Sequence, residues 1–156
     1  MTWSFQIKNG DLNFAGPGGF AIVTGTQKLI QDLRNWLLEP RGSDPFHSEY
    51  GSTLDGGTLG DGSMVPPSIG GMFTGEDLLN IEVEIRRILT LYQQQQASRI
   101  KTENIRYSGK NTYSRGEILH TVQDVDIRQS GDTAIVRISL ITASGDSIQF
   151  SQPLAL

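Results

Sequence analysis

Four carboxylates crowd one short stretch, Glu39, Asp44, Glu49 and Asp55. A pair of such groups flanking a sugar linkage could serve as acid and base, or as acid and nucleophile, in glycoside hydrolysis. Acidic residues after a helix are common, however, and spacing alone does not raise the pKa of one of them. The two histidines, His47 and His120, lie far apart. No His-Glu-x-x-His run, paired cysteine motif or carboxylate-rich calcium loop accompanies them, so no metal site is expected. Gly56, Gly57, Gly60 and Gly62 suggest a phosphate loop at first sight. No Gly-Lys-Ser/Thr leads into a helix, and no strand–glycine–helix order is present, so neither nucleotide pattern is met and no cofactor is expected.

The segment Glu39-Pro40-Arg41-Gly42-Ser43-Asp44-Pro45 is more specific. Two prolines stiffen the backbone and Gly42 permits a sharp turn. Such a turn presents one anion and one fork-shaped guanidinium, a pairing suited to fixing a neighbouring chain. The plain alternative is a helix stop with solvated charges.

The elements that must carry these residues follow from periodicity. Trp3, Phe5 and Ile7 alternate with polar residues and predict a short strand; Asn9-Gly10-Asp11 predicts a turn and Gly16-Pro17-Gly18-Gly19 a loop. Thr24 and Gln27 have capping-box spacing, and Leu29, Ile30, Leu33, Trp36 and Leu37 then recur on one helical face until Pro40. Residues 51–75 are glycine-rich with Pro66-Pro67 in the middle, and predict a long loop. Thr74 and Asp77 bracket the start of a second helix bearing Leu78, Ile81, Ile85, Ile88, Leu89 and Tyr92, with Gln93 to Gln96 as its solvated last turn. Residues 98–113 are polar and give no pattern. Ser114 and Glu117 predict a third, short helix carrying Ile118, Leu119 and Val122. Residues 123–152 predict a three-stranded antiparallel meander with turns at Ser130-Gly131-Asp132 and Ser144-Gly145-Asp146. The expected fold is α+β: one domain, 1–156, with two main amphipathic helices and a short one packed on the C-terminal meander.

Composition narrows the partners. With a net charge of -4 and 19% charged residues, nothing marks a basic nucleic-acid surface. There is no cysteine, which excludes disulfides and thiolate metal sites and suits a reducing cytoplasm. No run reaches the roughly 20 apolar residues of a membrane span, and the N-terminus lacks an apolar signal core. A cytosolic product is expected.

The run from Gly25 through Glu39-Pro40-Arg41 to Pro45, followed by Tyr50-Gly51-Ser52, resembles the phage baseplate wedge or sheath-initiator family. Relatives of that family occur in tailocins, extracellular contractile injection systems and type VI secretion baseplates. The Glu-Pro-Arg triplet is the family's signature, and the resemblance spans residues 20–151. It implies a structural subunit of the virion tail baseplate, assembled in the host cytoplasm, six copies per baseplate, and not an enzyme. Its implied partners are wedge core proteins and the tail sheath protein, with the tail tube as a further neighbour. Glu39, Pro40 and Arg41 would hold subunit to subunit. Val136, Ile138, Leu140, Ile148 and Phe150 would build a sheet onto which the sheath docks by strand addition. The long loop and the polar stretch 98–113 depart from compact members. Members have often carried the label lysozyme-like; a peptidoglycan hydrolase and a generic adaptor with an exposed sheet edge are the alternatives left open.

Overall fold

The computed structural model describes residues 2–8, 11–15, 18–58, 62–65, 75–106, 112–130 and 133–155. The turns expected at Asn9-Gly10 and Gly131-Asp132, part of the loop at Gly16-Pro17, Pro66-Pro67 and the cap at Thr74 lie outside these residues.

The first apolar stripe forms α1, Gly25–Leu38, and buries Leu29, Leu33, Trp36 and Leu37. Its expected cap is not made. Thr24 is extended but its hydroxyl bonds no helix N–H. The Gly25 N–H instead donates to Glu117 Oε1 at 3.3 Å, so a carboxylate 92 residues away meets the positive helix end.

The second stripe forms α2, Gly75–Arg106, 32 residues and roughly 48 Å long. Ile81, Ile85, Ile88 and Leu89 are fully buried. The glutamines are mid-helix rather than its last turn. Gln96 is buried, donates to the Glu117 carbonyl at 2.7 Å and accepts from the Leu119 N–H at 2.9 Å.

The strands, in chain order, are β1 Ser4–Phe5, β2 Ile7–Lys8, β3 Asp11–Leu12, β4 Ile22–Val23, β5 Pro40–Arg41, β6 Ser52–Thr58, β7 Met64–Val65, β8 Leu119–Ser130, β9 Thr133–Thr142 and β10 Ser147–Ala155. The last three form an antiparallel sheet in the order β10-β9-β8. Ala134, Val136, Ile138 and Leu140 line its inner face beneath the helices, as the alternation predicts.

The three-helix part of the expected fold is overturned. The described residues hold two α-helices and several small sheets, and the class remains α+β. A single 3-10 turn, Arg115–Glu117, stands where the third helix was expected, and Leu119 and Val122 belong to β8. The cause is visible in the register. β8 carries irregularities between Leu119 and Thr121 and between Val122 and Asp124. Each inserts one residue, so Leu119, Val122 and Val125 keep one face at a spacing of three. That spacing imitates a helix in the sequence. The expected loop 51–75 is also shorter: Ser52–Thr58 is a seven-residue strand, parallel to β5 and antiparallel to β7.

The N-terminal strands pair as β1 with β4 and β2 with β3. They are tied to the body by polar clips. Gln31, buried on α1, accepts from the Ile7 N–H at 2.9 Å and donates to the Phe5 carbonyl at 2.8 Å. Glu117 binds the backbone and hydroxyl of Thr2.

No helix among the described residues is long and apolar enough to cross a membrane.

Candidate functional site

The triplet sits where α1 stops. Pro40 and Arg41 turn into β5, and the chain returns through β6 alongside them. Ser52 closes the junction from two sides. Its N–H donates to the Glu39 carbonyl at 2.8 Å, and its hydroxyl donates to the Leu37 carbonyl at 2.7 Å. One of the carbonyls that a helix end leaves open is thus taken by a side chain from the next strand.

Two glycines make the contact possible. A Cβ on Gly51 would lie 2.5 Å from the Glu39 carbonyl oxygen, and one on Gly57 would lie 2.6 Å from that of Arg41. Both have positive φ, at +90° and +141°. The glycine-rich run is therefore the surface that lets one backbone lie against another, and only glycine fits there.

The side chains of the triplet diverge. Glu39 is exposed and accepts from the Ser43 hydroxyl at 2.7 Å. The Arg41 guanidinium pairs with Glu49 of its own chain, the arginine side chain being 14% exposed and the glutamate 53%. Arg41 Nε is buried without a hydrogen-bond partner among the described residues. Glu39 and Arg41 are thus mounted on one rigid corner, each with a local partner.

A second ion pair holds that corner from behind. Glu84 and Arg87 on α2 pair at 2.6 Å; Glu84 also accepts from the Thr53 N–H at 2.8 Å, and Arg87 donates to the Gly51 carbonyl at 3.3 Å. The predicted pair Glu82–Arg86 forms at 2.8 Å but is more exposed. Glu84 and Arg87 stand three apart on the helix, and sequence reasoning missed them because nothing local distinguishes them from their solvated neighbours. Burial raises the Glu84 pKa, but the bonds from Arg87 and Thr53 outweigh it and leave the carboxyl below its ordinary range. A depressed carboxyl contributes stability above its unfolded pKa, near 4.3, and loses it as pH falls through the lower folded value. Acid titration followed by circular dichroism is expected to show wild type losing stability below about pH 4.3. Glu84→Gln, which cannot titrate there, shows a shallower acid dependence.

The other carboxylates of the segment do not converge. Asp44 pairs with His47 at 2.7 Å and accepts from the Phe46 N–H, both of which lower its pKa. Asp55 is exposed on β6, and His120 is exposed on β8.

The docking-sheet residues are placed as follows. Val136, Ile138, Leu140 and Phe150 are buried, and Ile148 is half-buried against the same core. Their side chains hold the sheet to the helices and are not offered outward. What the sheet does offer is backbone. β9 is central, while β8 and β10 each pair on one side only among the described strands. The Ser151 carbonyl accepts from Arg34 at 3.4 Å, outside the ladder to β9.

No family model, curated protein or solved structure matches this chain.

Proposed function

We propose that the protein is a structural baseplate wedge subunit of a contractile phage tail or injection system, linking the wedge core to the sheath and starting sheath assembly by strand addition. The observation that carries the reading is the chain's terminal sheet: strands of 12, 10 and 9 residues, with both outer strands paired on one side. An unpaired edge of that length is a template for another chain's strand, with main-chain hydrogen bonds supplying affinity. The resemblance carried by Glu39-Pro40-Arg41 and its flanking helix supports the same reading. The rigid mounting of the triplet supports its use as a fixed contact toward the wedge core. In this proposal six copies ring the tail tube, and assembly takes place in the host bacterial cytoplasm.

Strand addition here acts through the edge backbone, because the five side chains expected to build the docking surface face the core. The triplet acts through Glu39 and the exposed part of the Arg41 guanidinium.

The test is co-expression with the sheath and wedge proteins encoded beside it, followed by size-exclusion chromatography and negative-stain microscopy. Sheath polymers that require this protein support the reading; sheath assembly indifferent to it overturns the reading. Arg41→Ala is expected to abolish assembly while the isolated subunit melts within a few degrees of wild type. The in-chain pair is partly solvated and worth about 0–1 kcal/mol, whereas truncating a charge buried between chains costs about 2–5 kcal/mol. Glu49→Gln removes the in-chain partner only and is expected to leave assembly intact. Equal loss in both variants would assign Arg41 to folding of its own corner.

A further inference from the structure

The N-terminal strands are amphipathic the wrong way round. Trp3, Phe5, Phe14, Phe20 and Ile22 are all exposed, Trp3 at 59% and Phe14 and Ile22 at 62%. The residues that alternate with them, Ser4, Gln6, Asn13 and Ala21, are half-buried, and Val23 is buried. A sheet resting on a body ordinarily turns its apolar face inward. Here the inner polar groups satisfy each other, the Asn13 amide donating to the Gln6 side chain at 2.6 Å, and the apolar side chains are turned out.

Those side chains form one patch. Trp3 meets Phe5 edge-on at 5.4 Å between ring centres, Phe5 meets Phe20 at 5.1 Å, and Phe20 meets Phe14 at 4.9 Å. Ile22 stands opposite Phe5 in the β1–β4 register. Trp3, Phe5, Phe20 and Ile22 wall a depression of about 390 Å³. Phe14 stands outside it, against Phe20. The patch thus carries a projecting ring and, beside it, a hollow with room for one, since about 150 Å³ suffices for benzene.

We propose that this face pairs with the same face of a second copy of the chain, each copy's Phe14 seated in the other's depression. A two-fold contact requires a surface to carry its own complement, and the ring and hollow supply it. The area also suffices. At about 150–250 Å² per aromatic residue, the exposed fractions of these five side chains leave on the order of 500 Å² per copy. Two copies then bury roughly 1,000 Å², the lower limit for a specific interface. Charge points the same way. Lys8 and Asp11 are the only charged side chains between Thr2 and Gln27, and they are register partners across β2 and β3. The face therefore has nothing to select an oppositely charged partner and nothing to repel its own copy.

The experiment is analytical ultracentrifugation of the full chain. Dimers are expected at about 100 µM, dissociating on dilution toward about 1 µM. Acrylamide quenching reads the same event without mutation. Trp36 is buried at any concentration, so the quenchable tryptophan is Trp3, and it becomes protected as dimers form. Phe14→Lys removes the ring and Ile22→Asp spoils the hollow. Each is expected to weaken association by about thirtyfold while the melting temperature holds. An equimolar mixture of the two variants is expected to recover dimers, because one ring still meets one intact hollow and the two new charges are opposite. Should Ile22→Asp fail to fold, Trp3→Ser takes its place. A chain that stays monomeric at about 100 µM, dimers unchanged in a folded Phe14→Lys protein, or a mixture that recovers nothing would each overturn the proposal. A monomer that sediments with phosphatidylcholine vesicles, or that binds a purified wedge core protein only when Phe14 is present, would overturn it too and give the face to that partner.

Discussion

Gly51→Ala is expected to lower the melting temperature by about 10 °C and to disorder the triplet corner before the rest of the chain. Two terms add. The backbone there is at φ +90°, a region an L side chain adopts at a cost of about 1–3 kcal/mol. The new methyl would also sit 2.5 Å from the Glu39 carbonyl oxygen and 2.8 Å from that of Pro40. Those atoms are backbone, so the overlap is relieved only by parting β5 from β6, at a further cost of about 1–3 kcal/mol. Parting them breaks the Ser52 N–H bond to Glu39 and pulls the Gly51 carbonyl from Arg87. Gly145→Ala isolates the first term: its φ is +91°, but a Cβ there meets nothing within 4 Å. It is expected to cost about 1 kcal/mol. Thermal melts of the two variants side by side check the difference; equal shifts would show that β6 does not press on the triplet.

This corner also shows where the sequence was legible and where it was not. The helix stop was legible, and α1 ends at Leu38, just before Glu39 and Pro40. The strand beside it was hidden because Leu54 is the only apolar residue in Ser52–Thr58 and two of the seven are glycine, so alternation gave no signal. A glycine run reads as flexible whenever the neighbour it must approach lies elsewhere in the chain, and Glu39 and Arg41 lie 12 and 16 residues before Gly51 and Gly57. The same limit applies to polar residues that act across the fold. Gln31, Gln96 and Glu117 lie on or beside predicted helices as ordinary polar residues, yet each is buried and clips one segment to another. Periodicity places apolar faces well, as the core faces of α1, α2 and β9 demonstrate. It fails where a bulge shifts the period, as at Leu119, Val122 and Val125, and it cannot see partners that are distant in sequence.

Proline placed in the terminal sheet is expected to separate folding from docking. Ile138 lies on the central strand opposite Phe150 on one side and Val125 on the other, and it is fully buried. Ile138→Pro removes a ladder donor and leaves a smaller ring in a packed site. Central strands do not accept proline, and the loss of buried methyl groups adds to it. This variant is expected to be unfolded at room temperature by circular dichroism, so it says nothing about the sheath. Ser151 differs. Its carbonyl accepts from Arg34 rather than from β9, and Pro153, two residues on, already lacks an N–H. In an antiparallel strand the backbone groups of alternate residues point to the same side. Ser151 and Pro153 therefore present their backbone to the open edge of β10, which explains why the strand tolerates a proline. Ser151→Pro removes an edge donor without touching the ladder to β9, and is expected to melt within about 2 kcal/mol of wild type. If the proposed sheath docking uses the β10 edge, this folded variant fails to nucleate sheath polymers in the co-expression assay. Normal nucleation by a folded Ser151→Pro protein assigns docking to the opposite edge, β8. There, charged Asp126 and Arg128 pair along the strand and would favour a partner strand with its own charges in register.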